Sequence, residues 1–344
     1  MPDWSVTAPS PDPRVGLRAG WFDAAEVTWN MRVVSRTPPS EQFINRSTPG
    51  EVRLINSDLS FVGNYVIQGN FSGYQVWDIS HPSHPTLRTS YVCPGSQSDV
   101  SVYRRLMFVS GEAIDGRTDC GTQGVSDTVS HDRLLGIRIF DITVIAHPRY
   151  LTNVQTCRGS HTHTVVTDPR DTANIYIYIS GSAPVRSPNE LAGCSNLMPD
   201  RDPNSALFRI EVIRVPLAAP GQARIVSSPR IFSDLATPAR HAELRADSIA
   251  AAERAAAERR RTGAAAPPRE PRSGPTQCHD ITVYSAIGLA GGACGGYGLL
   301  LDIRDPAHPR RIGAVADSNF SYWHSATFNN DGTKILFTDE WGGG

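Results

Sequence analysis

The sequence predicts an all-β fold assembled from repeated four-stranded antiparallel units. Three observations predict it: a polar pair followed by a β-rich run that recurs five times, a wealth of turn formers, and six cysteines in three local pairs. With 344 residues, 40% hydrophobic and 19% charged, the chain is long enough to bury a sizeable core. Its 26 prolines and 29 glycines suit many short strands joined by many turns.

The recurring pair opens residues 57–61 (SDLSF), 98–102 (SDVSV), 163–167 (HTVVT), 279–283 (HDITV) and 324–328 (HSATF). The first and last intervals between these runs suit one propeller blade of roughly 40–45 residues, and the two between them need loop insertions. A second run follows in each complete unit, at 75–79 (QVWDI), 138–142 (RIFDI), 211–215 (EVIRV) and 299–303 (LLLDI). It leads into a turn carrying Pro85, Pro148, Pro220 or Pro309. Proline has no N–H to give a central ladder, so it marks the strand exit. The next strand then starts at Leu87, Tyr150, Ile225 or Ile312. Between the two runs lies a plain strand such as 106–109 (LMFV) or 175–178 (IYIY). Strand, strand, strand, turn, strand is the plan of a β-propeller blade, with the five runs of the first set innermost.

Four stretches, CPGSQSDVSVY (93–103), TCRGSHTHTVV (156–166), QCHDITVY (277–284) and YWHSATFNNDGTKILFTDEWGGG (322–344), give the chain a resemblance to the LVIVD-repeat family of bacterial β-propeller proteins, above all its long secreted members. The resemblance covers nearly the whole chain and implies about seven blades. Four complete units and the opening of a fifth are found here. On that comparison the chain is expected to be truncated at its C-terminus, with four to five blades present.

Two segments stand outside the repeat. Residues 1–50 are proline-rich, and the aromatics of 21–32 are expected to pack on the propeller rim. The partial propeller occupies 51–344 and is interrupted at 238–277. Within that interruption 239–261 has a strong helix composition, followed by a Pro/Gly/Ala linker at 262–274. A polar helix with no apolar stripe reads as a solvated excursion.

The net charge of −1 provides no basic field for nucleic acid. The best uncharged run, 285–301, is broken by glycines and falls short of the roughly 20 residues a membrane span needs, so it reads as two strands around a glycine turn. The MPDW start has neither the basic nor the apolar part of a signal peptide, which leaves a cytoplasmic protein or one whose leader has been removed. The cysteines decide between these. Cys93 with Cys120, Cys157 with Cys194 and Cys278 with Cys294 suit disulfides that clip a loop to its own repeat, which requires an oxidising compartment: periplasm, cell surface or medium. None of their spacings is a CxxC zinc pattern.

The histidines are the best candidates for chemistry. His163, His279 and His324 share one register at the start of the inner strand, and propeller symmetry sets such positions in a ring about the central channel. Imidazoles converging from different blades would bind a transition metal ion, with His161 as a further ligand and Asp99 and Asp280 behind them. The competing reading is hydrogen bonding between blades, because Ser57 and Ser98 hold the same register in the first two units. The neighbouring ring of Asp58, Asp99, Thr164, Asp280 and Ser325 should accept from backbone donors. The NNDGT segment at 329–333 has no glutamate at the downstream position of a calcium loop and reads as a hairpin turn. Asn45, Asn70 and Asn319 open glycosylation sequons. No P-loop, dinucleotide fingerprint or G-x-S-x-G elbow is found.

Three classes of function remain open on these grounds. The favoured one is an extracytoplasmic or cell-surface propeller that binds a protein, glycan or small molecule. The others are a metal-dependent oxidoreductase or hydrolase centred on the histidines, and a structural component of an envelope assembly.

Overall fold

The computed structural model describes residues 5–20, 23–48, 51–237, 242–263, 277–317 and 323–340. Its sheets follow the repeat. The first blade consists of β1 (Asn56–Val62), β2 (Tyr65–Asn70), β3 (Gly73–Asp78) and β4 (Thr86–Val92), and the second of β5 (Val100–Tyr103), β6 (Leu106–Gly111), β7 (Gly136–Asp141) and β8 (Arg149–Gln155). The third contains β9 (Thr162–Asp168), β10 (Asp171–Ser180), β11 (Glu211–Pro216) and β12 (Arg224–Ser227). The fourth contains β13 (Cys278–Tyr284), β14 (Leu289–Cys294), β15 (Tyr297–Asp302) and β16 (Arg310–Val315). A two-stranded sheet of β17 (Trp323–Phe328) and β18 (Ile335–Asp339) completes the described residues. Every sheet is antiparallel in simple meander order. All five expected inner runs fall on first strands, although β5 begins at Val100 and leaves Ser98 and Asp99 just ahead of it.

The core lies between blades rather than within any one of them. β3, β6 and β7 are buried along their whole length: β6 and β7 lie between neighbouring blades, and β3 lies between the second blade and the N-terminal segment, whose Ser40 N–H bonds Gln75. Ile67, Val76, Met107 and Phe140 fill the first interface, and Phe108, Ile139, Ile177 and Ile213 the second. Tyr178, Val212, Ile281 and Leu299 fill the third. Each such side chain contributes about 1.5–3 kcal/mol by leaving water. The fourth interface depends on a missing side chain. A Cβ on Gly298 would stand 2.7 Å from the Trp323 ring and 2.8 Å from that of Phe337, so glycine is what lets the last hairpin seat against β15.

One device ends the third strand in three blades. The ladder to the fourth strand shifts register between Val76 and Trp77, Ile139 and Phe140, and Leu300 and Leu301. Such a bulge increases local twist. The strand then stops at Asp78, Asp141 or Asp302. Their Oδ1 atoms accept the backbone N–H two residues on, from Ser80, Thr143 and Arg304, at 2.9, 2.8 and 3.1 Å. The third blade has the bulge at Val212 but ends in Pro216 and turns through a single 3-10 turn at Pro220–Gln222.

Disulfides join Cys93 to Cys120, Cys157 to Cys194 and Cys278 to Cys294. They suggest an oxidising, extracytoplasmic environment. The insertion carries α1 (Ala242–Thr262), and no helix among the described residues is long and apolar enough to cross a membrane. In the N-terminal segment Trp29 is 41% exposed, whereas Phe43 is buried and the Ser40 N–H donates to Gln75 Oε1 at 2.7 Å. Trp21 and Phe22 lie outside the described residues. Asn70 is fully buried, donating to Leu54 O and Asn56 Oδ1, which removes its sequon from any glycosylation role. Asn319 lies outside the described residues.

Candidate metal centre at the channel mouth

The starts of the inner strands meet around a cavity of about 510 Å³, whose walls include Asn56, Asp58, Asp99, His279, Asp280 and His324. Polar side chains from neighbouring blades stitch these strands together. Asp58 Oδ2 accepts the Val100 N–H at 3.1 Å, and Asp99 Oδ2 accepts the His163 N–H at 2.8 Å. Thr162 Oγ1 donates to His279 O at 2.7 Å, and Thr164 Oγ1 donates to Ile281 O. Asp58 and Asp99 thus do accept from backbone donors. They cap the next blade rather than their own turn.

The four histidines separate into one and three. His163 stands in regular register opposite Ile179, its ring fully buried between the second and third blades and edge-on to Phe108. Its Nδ1 lies 2.8 Å from Ser110 Oγ and 2.8 Å from Asp99 Oδ2. It is turned away from the other three.

His161, His279 and His324 come together. The Nε2 atoms of His161 and His279 are 2.8 Å apart, and the rings of His279 and His324 are 4.0 Å apart between centroids. Local backbone explains the direction. The ladder between β13 and β14 shifts register between Cys278 and Asp280, which makes His279 the extra residue of a bulge. The ladder between β17 and β18 shifts between Trp323 and Ala326, across the pair His324 and Ser325. Bulges re-aim side chains that an unbroken ladder would hold in alternation. His161 precedes β9 and is fixed by its N–H, which donates to Ser180 O at 2.8 Å.

Two glutamates that the repeat pattern did not single out complete the group. Glu112 Oε1 pairs with His161 Nδ1, while Glu112 Oε2 accepts from Ser182 Oγ at 2.7 Å. Glu340 Oε2 lies 3.8 Å from His279 Nε2 and 3.7 Å from His324 Nε2. Both glutamates are the first residue after a second strand, β6 or β18, where the other blades have Phe71, Gly181 and Gly295. That shared position was the available signal. His279, His324 and Glu340 each bring a donor atom within 4.8 Å of the others. Of the acids expected behind the histidines, Asp99 serves His163 instead, and Asp280 faces the channel cavity.

Electrostatics sort the group by charge. Burial opposes the imidazolium of His161, yet the Glu112 carboxylate outweighs it and holds that pKa above the ordinary histidine value. Burial likewise opposes ionisation of Glu112, and its bonds to His161 and Ser182 carry it below the usual glutamate range. His279 is pushed down to about 4 by burial and by the imidazoles on either side, so its ring is neutral at pH 7. Asp58 is pushed up to about 6 by burial and by Asp99. Asp280 is raised, chiefly by burial and then by Asp99.

No protein-family model matches the chain. No curated protein matches it either. Among solved structures it is similar to a hypothetical selenium-binding protein from Sulfolobus tokodaii, at 11% identity and a TM-score of 0.48, covering 85% of this chain and 60% of that one. A functionally unknown protein from Desulfotomaculum acetoxidans gives 8% identity and a TM-score of 0.43, covering 83% of this chain and 63% of that one. Sqt1 of Saccharomyces cerevisiae gives 10% identity and a TM-score of 0.37, covering 79% of this chain and 65% of that one. The chain spans less than two thirds of the length of each.

Proposed function

We propose that the chain acts as an extracytoplasmic β-propeller, periplasmic, secreted or at the cell surface, which binds a small polar ligand at the mouth of its central channel. The observation that carries this reading is the cavity of about 510 Å³ where the inner strands converge. Concave sites with a few convergent polar groups are where propellers and barrels hold ligands. Its walls favour hydroxyl-rich or cationic molecules over apolar ones, because Asp58 and Asp280 face it beside Asn56 and Ser325. The three disulfides support the compartment, as does the resemblance to secreted LVIVD-repeat proteins.

The test is a thermal-shift screen of sugars, polyamines and amino acids, run in EDTA, on wild type and on Ser325→Trp. Ser325 lies on the wall of the cavity, and an indole there would fill part of it. Ligands of the channel should stabilise the wild type and leave Ser325→Trp unmoved. A screen without hits, or hits indifferent to the substitution, would count against the reading.

A further inference from the structure

We propose that His279, His324 and Glu340, with His161 as fourth donor, form a binding site for a divalent late transition metal ion such as Zn(II) or Cu(II). The proposal deepens the channel-mouth reading and rests on the same face of the molecule, but it commits to the chemistry of one ligand.

The argument starts from what surrounds the imidazoles. His163 is held by the blade interface: fully buried, its Nδ1 against a serine and an aspartate, and edge-on to a phenylalanine. The other three face one another and a carboxylate instead. His161 Nε2 meets His279 Nε2 at 2.8 Å, and Glu340 Oε2 stands almost equidistant from the Nε2 atoms of His279 and His324. Once the proton that His161 Nε2 and His279 Nε2 share in their hydrogen bond is displaced, these nitrogens and the carboxylate are what a borderline-soft cation collects, and imidazole with carboxylate is a donor set that suits zinc or copper.

His279, His324 and Glu340 already bring donor atoms within 4.8 Å of one another, whereas His161 lies outside that trio and would have to close on His324 and Glu340 from its contact with His279. Two nitrogens bound at 2.0–2.1 Å to a tetrahedral ion lie roughly 3.3 Å apart, so the His161 and His279 rings would part by about 0.5 Å. Glu112 supplies the partner that a metal-ligating histidine needs on its other nitrogen. Its carboxylate, itself anchored by Ser182, takes the Nδ1 side of His161 and leaves Nε2 to face the cluster. The site is open on one side, since the His324 side chain is 40% exposed and that of Glu340 is 50% exposed. A water or a channel ligand therefore has access to the ion, as in sites where the metal meets a small molecule.

The experiment titrates tag-free, chelator-stripped protein with Zn(II) alone and with Co(II) alone, reading affinity by competition with a chromophoric chelator and geometry by the cobalt d–d bands. One equivalent should bind, with cobalt bands of tetrahedral intensity. His279→Ala and His324→Ala should each weaken zinc binding by about 100-fold or more, and Glu112→Gln by about 10–100-fold. His163→Ala should change affinity by no more than about 3-fold while stoichiometry stays at one, because that ring lies outside the donor set. Should His279→Ala misfold by circular dichroism, Glu340→Gln replaces it at a half-exposed position. Wild type that takes up no stoichiometric zinc overturns the proposal, as does His324→Ala or Glu340→Gln binding zinc as tightly as wild type. If zinc fails while the screen in EDTA succeeds, only the metal is lost. If both fail, the channel-mouth reading falls with it.

Discussion

His163 is the residue on which the structural and the metal readings of the histidine ring part, and His163→Ala is the substitution that separates them. The wild-type ring is fully buried, and its Nδ1 lies 2.8 Å from Ser110 Oγ and from Asp99 Oδ2. Alanine would open a cavity against Phe108, leave the Ser110 hydroxyl one partner fewer, and take the imidazole from the Asp99 carboxylate, which keeps the longer contact from Ser110 Oγ at 3.5 Å. The backbone N–H at position 163 would still donate to Asp99, so the carboxylate keeps one of its bonds. Cavity and desolvation costs of this kind sum to about 3–5 kcal/mol, read as a loss in urea-unfolding free energy with the m-value unchanged. The loss should depend on pH with a definite sign. Burial tends to raise the Asp99 pKa, but its bonds to His163 outweigh that and hold the pKa below its ordinary value. Its contribution is therefore present above pH 4 and fades as the pH falls through the folded pKa. In acid the difference between wild type and variant should narrow to the cavity cost alone. His163→Gln, whose amide can donate to Asp99, should recover part of the loss. Loss of bound zinc in His163→Ala with stability intact would refute the assignment of this ring to the blade interface.

Four further outcomes follow from the same geometry. The Asp58 pKa is raised from 3.8 to about 6, so stability falls as pH rises from about 4 to 6 and levels off above; Asp58→Asn should be more stable than wild type by about 1 kcal/mol at pH 8, after discounting for partial exposure, with no difference at pH 4. Gly298→Ala should destabilise by about 1–3 kcal/mol, because its Cβ meets Trp323 and Phe337, and Trp323 fluorescence should shift as the last hairpin moves. Replacing Cys157 and Cys194 together by serine should remove about 2–4 kcal/mol, measured by denaturation without reductant. Glu190→Gln should cost about 3–5 kcal/mol on thermal unfolding, since Glu190 is fully buried between Arg133 and Arg186 and its loss leaves two guanidinium groups under-compensated.

Most of the architecture was legible because a blade repeats a local plan. Proline after the third strand in all four complete blades, aspartate at its end in three of them and apolar runs along its neighbours are short-range signals, and they put the strand order of the blades in the sequence. The cysteine pairs were legible for the same reason, each closing a loop within one unit. Contacts that depend on long sequence separation were not. Nothing near Glu190 announces Arg133, and the glycine at 298 gives no sign that two aromatic rings from the next hairpin rest on it.

The site shows where repeat logic stops. Equal register placed His163, His279 and His324 at equivalent positions, and equivalence of position implied equivalence of direction. That step holds only where the ladders are alike. β9 pairs with β10 without interruption from Thr162 to Val166, so the ring of His163 follows strict alternation into the blade interface. β13 carries a bulge at His279 and β17 one across His324 and Ser325, which breaks the alternation and frees both rings to face the cluster. His161, two residues before His163, then supplies the third imidazole because it precedes the regular ladder. A bulge depends on how two strands share their hydrogen bonds, and a single strand's residues do not encode that. The glutamates were hidden by a different cause: Glu112 and Glu340 follow second strands, whose ends carry no shared residue type across the blades. Aligning the blades on the ends of β6 and β18 instead of on their inner strands brings the two carboxylates to one register, and the arrangement of three imidazoles between two acids follows from that register together with the two bulges.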